Sequence, residues 1–304
     1  MKSTHHFKTF FAVLIVFYTL INTASAEKLR VLCTTNLVAD LAKEIGQNLF
    51  QVESLMGPGV DPHLYRATQG DVKRIQEADL ILYNGLHLEG KMHELLEKLS
   101  TRKKVHAVSA NIEPQKLRRP PDFEGGYDPH IWFDVSLWKQ AAQTTAAALI
   151  ELQPSETAAI EAQAQAFYAK LDELHRWIHA TVGSIPAERR ILITAHDAFG
   201  YFGQAYAVQV VGLQGISTAA EYGLRDVIRV VDLIVAQKVP AVFVETSVSR
   251  RFVNTLQEGV AAKGHTVSLG GELYSDALGS ADSPAATYIG MMRHNVTTIV
   301  EALK

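Results

Sequence analysis

From Pro154 to Val182 the chain runs without a proline or glycine after its first residue, and this stretch limits the possible folds more than any other. Pro154 suits a first helical turn, and Glu156 puts an acid near the positive end of the helix dipole. Ile160, Phe167, Leu171, Leu174, Trp177, Ile178 and Val182 fall on one stripe at helical spacing. Such a helix would be ~40 Å long at 1.5 Å per residue. On either side of it, strand and helix patterns alternate. Such a rod is long enough to run along both halves. The expectation is an α/β chain of two lobes, each a mainly parallel sheet flanked by helices, joined by one long rigid linker helix.

In the first half, "LRVLCTT", "VESLM", "ADLILYNG" and "KKVHAVS" read as short strands rich in branched residues. Asn36 is placed to cap a helix through Ile45. Thr68 is placed to cap one through about Gln76, with Asp71 completing a capping box. Lys91–Leu99 repeats at helical spacing. In the second half "ILITAHD", "VQVVGL", "PAVFVETS" and "HTVSLGG" continue the strand pattern, with helices expected over Leu224–Gln237, Arg251–Ala262 and about Pro284–Leu303. The expected divisions are a first lobe at 27–153, a linker helix at 154–183 and a second lobe at 184–304.

The N-terminus indicates a compartment. Lys2 and Lys8 precede or open an apolar run reaching Ile21, and Ala24-Ser25-Ala26 follows as a small-x-small exit. Residues 1–26 read as a secretory signal peptide cleaved after Ala26, which predicts a periplasmic protein. The run is short of the ~20 apolar residues of a membrane anchor. Cys33 lies in a strand pattern without the small residues of a lipid-attachment site, and as the only cysteine it has no partner for an internal bridge. The formal charge is −3, and loss of Lys2 and Lys8 with no acid makes it −5. No basic patch points to nucleic acid, and an apolar fraction of 47% can fill two cores.

One tripeptide occurs twice, as Asp61-Pro62-His63 and Asp128-Pro129-His130. Proline fixes its own φ and extends the residue before it, so each histidine leaves a stiff loop in a set direction. Either copy alone reads better as an ordinary turn than as a metal site. The repeat favours a metal site, as does His196, which stands where the strand at Arg190–Thr194 gives way to "AHDAFGYF".

"DPHLYRATQGDVKRIQEADLILYNGLHLEGKM", "YDPHIWFDV", "AHDAFGYF" and "GGELYSDALG" together resemble the zinc/manganese-binding solute receptors of ABC importers, the TroA-type family, over nearly all of the mature chain. The resemblance implies metal ligands at His63, His130, His196 and Asp276, and no enzymatic activity. It implies Zn2+ or Mn2+ as cargo, Fe2+ being a further candidate, and an inner-membrane ABC permease as partner of a monomeric receptor. Three imidazoles and one carboxylate suit a divalent cation, and the nitrogen-rich set leans toward zinc. The segment Glu113–Tyr127 contains no histidine, unlike the His-rich loops of zinc-dedicated relatives, whereas His196 stands where manganese-dedicated relatives often have Glu. The metal therefore stays open between the two.

Two other readings use the same residues: a zinc hydrolase, with Asp197 as the acid beside a ligand, and a metal-dependent surface adhesin. Glu245 closes "PAVFVET" and is placed either to orient a ligand imidazole or to cap the next helix. His175 and His179, four apart on the long helix, lack the Glu of a zinc-protease helix and read as a solvated flank. His87 and His93 bracket a helix start and read as exposed.

Overall fold

The computed structural model describes residues 27–121, 123, 126–220 and 222–304, so the signal peptide reading lies outside the described residues. The first lobe runs β1 (Arg30–Cys33), α1 (Asn36–Gly46), β2 (Gln51–Ser54), α2 (Gln69–Glu77), β3 (Leu80–Tyr83), α3 (His93–Ser100), β4 (Lys104–Ala107) and α4 (Val135–Leu152). Its strands form one parallel sheet in the order β2-β1-β3-β4. Val31 sits opposite Val52 on one side and Leu80 on the other, so branched residues stack across three strands. Strands buried on both faces need no polar alternation, which is why "RVLC" and "LILY" are nearly all apolar.

The linker helix follows as α5 (Thr157–Gly183), entered through a 3-10 turn at Pro154–Glu156. Its buried residues include Ile160, Phe167, Leu171, Leu174, Ile178 and Val182, on the stripe read from the sequence, while Trp177 is half-buried. The second lobe runs β5 (Ile191–His196), α6 (Gly200–Tyr206), β6 (Gln209–Gln214), α7 (Leu224–Gln237), β7 (Ala241–Glu245), α8 (Arg251–Ala262), β8 (Ser268–Leu273) and α9 (Tyr288–Leu303). β5 pairs with β6 and β7 with β8, both parallel, and β5 lies against β7. Among the described residues no helix is long and apolar enough to cross a membrane.

Local expectations shift at helix starts. Thr35, not Asn36, caps α1: it is extended (φ −111, ψ 160) and its hydroxyl accepts the Val38 N–H at 3.2 Å. Asn36 becomes the first helical residue, which frees its amide. The capping box at Thr68 and Asp71 is present. α3 begins at His93 rather than Lys91, after a turn in which Leu86 and His87 take positive φ. α9 begins at Tyr288 because Thr287 supplies its cap. Two helices, α4 and α6, have no counterpart among the sequence expectations.

The packing joins the lobes. One apolar core runs from Val31 to Leu303 and takes in α1, α4, α5, α6 and α9. A smaller core under α7 and α8 belongs to the second lobe, and another beneath α2 and α3 to the first.

Candidate metal centre

Both Asp-Pro-His segments fold the same way. The Asp61 carboxylate accepts the His63 N–H at 2.9 Å, and the Asp128 carboxylate accepts the His130 N–H at 3.0 Å. Proline between them has no N–H to compete, so each aspartate closes a tight turn onto the histidine two residues on. Asp128 goes further. The same Oδ1 lies 2.8 Å from His130 Nδ1, which leaves Nε2 as the free edge of the ring. Asp61 turns its other oxygen to the second lobe and accepts from Thr218 Oγ1 at 2.6 Å.

The second lobe contributes from strand ends. His196 is the last residue of β5 and Glu245 the last of β7. Glu245 Oε1 accepts the His196 N–H at 3.0 Å, and Oε2 lies 2.5 Å from Nδ1 as an ion-pair contact off the hydrogen-bond direction. Asp276 follows β8 in a loop. Open α/β sheets gather ligands beyond the carboxyl ends of their strands, and both lobes present theirs to the same crevice.

The structure brings His63, His130, His196 and Asp276 together, with one ligand-capable atom of each within 4.8 Å of the others. His63 Nε2 lies 3.3 Å from His130 Nε2. Asp276 lies 3.4 Å from His130 Nε2, 3.3 Å from His196 Nε2 and 3.9 Å from His63 Nε2. His130 faces Asp276 Oδ1, while His196 and His63 face Oδ2, so both carboxylate oxygens border the point on which the three Nε2 atoms converge. His63 is 4% exposed and the other three 0–1%. Neither Asp276 oxygen, nor His196 Nε2, has a hydrogen-bond partner among the described residues. Buried polar atoms without partners are rare, and these three lie together in the nest.

Charge in this nest is divided unevenly. Burial pushes His63 down to about 3, so its imidazole is neutral. Burial also opposes charge on His130, but Asp128 and Asp276 outweigh it and raise the ring to about 8. At His196 burial is again outweighed, by Glu245 and then Asp276, and the ring is raised well above its ordinary value. Asp276 is held well below the usual carboxylate range by His196 and His130, against the opposite pull of burial. The nest therefore attracts cations: protons when empty, which a metal must displace.

Sequence reading had not singled out Asp128, Arg118 or Tyr201 as supports. Arg118 Nη1 donates to Asp128 Oδ2 at 2.5 Å, Tyr201 Oη donates to the Asp128 carbonyl at 2.9 Å, and the Arg118 N–H donates to Tyr201 Oη at 3.0 Å. A Cβ on Gly200 would overlap the Arg118 guanidinium, so glycine there admits the arginine. Only the aspartate, inside the repeated tripeptide, carried a signal. Asp197 is not a member of the cluster. Of the histidines read as solvent-facing, His179 and His87 are exposed, but His175 is half-buried against Tyr206 Oη at 3.0 Å and His93 is half-buried beside His87.

A nest closed this tightly admits an ion and little else, which defines a solute-binding receptor rather than an enzyme cleft. The family model "ZnuA: Zinc-uptake complex component A periplasmic" matches residues 31–302, and the chain belongs to that family. It is 47% identical over 279 residues to the manganese-binding lipoprotein MntA of Bacillus subtilis (strain 168), covering 91% of this chain and 90% of that protein. It is also 47% identical over 273 residues to the zinc-binding protein TroA of Treponema pallidum (strain Nichols), covering 90% and 88%. The solved structure of the periplasmic zinc-binding protein TroA from Treponema pallidum superposes with a TM-score of 0.88 at 46% identity, over 91% of this chain and 99% of that one.

Proposed function

We propose that the protein captures a divalent metal ion, zinc or manganese, outside the inner membrane and delivers it to the permease of an ABC importer. His63, His130, His196 and Asp276 are the ligands in this reading, and Asp128 and Glu245 fix two of the rings through Nδ1. Residues 1–26 are removed after Ala26; 27–153 and 184–304 form the two lobes and 154–183 the linker. The observation that carries the reading is the convergence of four buried residues whose ligand-capable atoms lie within 4.8 Å of one another, with the Asp276 oxygens unpartnered among the described residues. Metal-binding relatives support the cargo: their names specify manganese and zinc, and iron for YfeA of Yersinia pestis at 31% identity.

A hydrolase would need an open coordination position and room for substrate beside the ion. With three ligands at 0–1% exposure and His63 at 4%, that room is missing. Three neutral imidazoles and one carboxylate leave a bound divalent ion with net charge +1.

Elemental analysis of the protein purified natively, followed by competitive titration of the metal-free form, tests this reading. The expected result is one zinc or manganese ion per chain and protons released on binding near neutral pH, because His130 and His196 are both raised above the ordinary imidazole value in the empty nest. A protein that retains no metal through purification and gains none at stoichiometric concentration would refute it.

A further inference from the structure

Each histidine in the nest is held by a carboxylate: His63 through its backbone by Asp61, His130 by Asp128, His196 by Glu245. Asp276 has no such support. Its oxygens accept no hydrogen bond among the described residues, so its aim is set by the backbone that carries it.

That backbone is clamped on both sides by asparagine side chains in the same manner. Two residues before Asp276, the Tyr274 N–H donates to Asn295 Oδ1 at 3.0 Å and Asn295 Nδ2 donates to the Tyr274 carbonyl at 2.7 Å. Two residues after it, the Leu278 N–H donates to Asn36 Oδ1 at 2.9 Å and Asn36 Nδ2 donates to the Leu278 carbonyl at 3.2 Å. Each amide thus uses both its ends on one residue, as a neighbouring strand would. Between the clamps, Trp132 Nε1 donates to the Ser275 carbonyl at 2.9 Å. Asn295 sits on α9, but Asn36 reaches across from the first lobe. It opens α1, whose Leu37, Val38, Leu41, Ala42 and Ile45 are locked in the shared core. Because Thr35 does the capping, the Asn36 amide is free for this task.

We propose that Asn36 is a positioning residue for the ligand Asp276: it ties the second lobe's ligand loop to the first lobe and so fixes the carboxylate against the imidazoles of His63 and His130. The inference rests on the metal-receptor reading and adds to it a residue that touches no metal. Removing such a support in metal sites costs about 10–100-fold in affinity.

The test is a double-mutant cycle on the full mature chain with N36A, D276A and the pair. Three properties are read: the rate of Zn2+ loss to a chelator in excess, the visible absorption of the Co2+-loaded protein, and the melting temperature of the metal-free form. Alanine keeps the Thr35 cap and favours the helix, so the fold should survive. N36A should speed Zn2+ loss about 10–100-fold and alter the Co2+ spectrum, and in the D276A background it should change neither. If N36A leaves rate and spectrum as in the wild type, or weakens binding equally in both backgrounds, Asn36 acts only structurally and the proposal fails while the receptor reading stands. If D276A itself binds like the wild type, the ligand set is wrong and the proposal falls with it.

Discussion

Replacing Glu245 by Gln would show how much of the site lies behind its ligands. Both Glu245 and His196 are buried, 1% and 0% exposed, so no water can substitute for the lost charge. Glutamine keeps a carbonyl oxygen for the His196 N–H now bonded at 3.0 Å, so the strand ends should stay together. What disappears is the negative charge 2.5 Å from Nδ1. Two opposite consequences follow. The imidazole becomes a weaker base toward the metal, which for supports of this kind costs about 10–100-fold, or about 1.4–2.8 kcal/mol. The imidazole also binds its proton less tightly, because Glu245 is the leading cause that raises His196. Proton competition therefore weakens in the mutant as pH falls. In competitive Zn2+ titrations the loss should be larger at the alkaline end of the accessible pH range and shrink as pH falls. A mutant-to-wild-type ratio that stays constant across that range, or stays near one at the alkaline end, would refute the assigned coupling of Glu245 to His196.

Saturating Zn2+ should raise the melting temperature through mass action, by ~4 kcal/mol at a thousandfold excess over Kd, and Asp276→Ala should blunt the rise; equal rises would remove Asp276 from the site. Asp40, which accepts the Tyr288 N–H at 3.0 Å, is pushed by burial up to about 7 from 3.8. The folded state then holds a proton that the unfolded chain has released, so this group's stabilisation is lost as pH rises from about 4 through 7, by at most about 4 kcal/mol. Asp40→Asn in the metal-free protein should flatten that fall in denaturant melts, and an unchanged slope would count against it. Small-angle scattering of metal-free and Zn2+-loaded protein should give superimposable curves, and a change in radius of gyration of several ångströms would contradict the joined core.

What could be read from the sequence depended on range. The linker helix was legible because nothing breaks it from Ser155 to Val182 and one stripe of it is apolar. The strands were legible because buried parallel strands are runs of branched residues. α4 was not, since "VSLWKQAAQTTAAALIEL" is buried on most sides and gives little contrast between faces. α6, seven residues long, is shorter than helical periodicity can establish. Asn36 was misread as a cap because Thr35 and Asn36 both favour that position, and only the backbone angle at Thr35 decides. The four clustered residues were named through resemblance and the repeated tripeptide. Glu245 was read as one support, but Tyr201 and Asn36 were hidden because they join distant parts of the chain: Tyr201 reaches Asp128 across 73 positions and Asn36 reaches Leu278 across 242. No local pattern encodes such a pairing.

The same long-range contacts limit how the nest can open. Phe133 of the first lobe stacks on Phe199 of the second with ring centroids 4.1 Å apart. Trp138 packs against Tyr288 at 5.5 Å, and Tyr288 Oη donates to the Trp132 carbonyl at 2.7 Å. A wide hinge would strip these rings from one another. Exposing four large side chains costs roughly 6–12 kcal/mol, at 1.5–3 kcal/mol for each. That approaches the roughly 5–15 kcal/mol that stabilises a whole domain. A receptor that must release its ion repeatedly cannot use such a movement in each cycle. The smaller route is local. His63 is the most exposed member of the nest, and among the described residues its loop is hydrogen-bonded to the second lobe through Asp61 and Thr218 alone. His130, His196 and Asp276 are each tied down by buried groups or clamped backbone. The expectation from this asymmetry is that the ion leaves on the His63 side, with the rest of the nest staying in place.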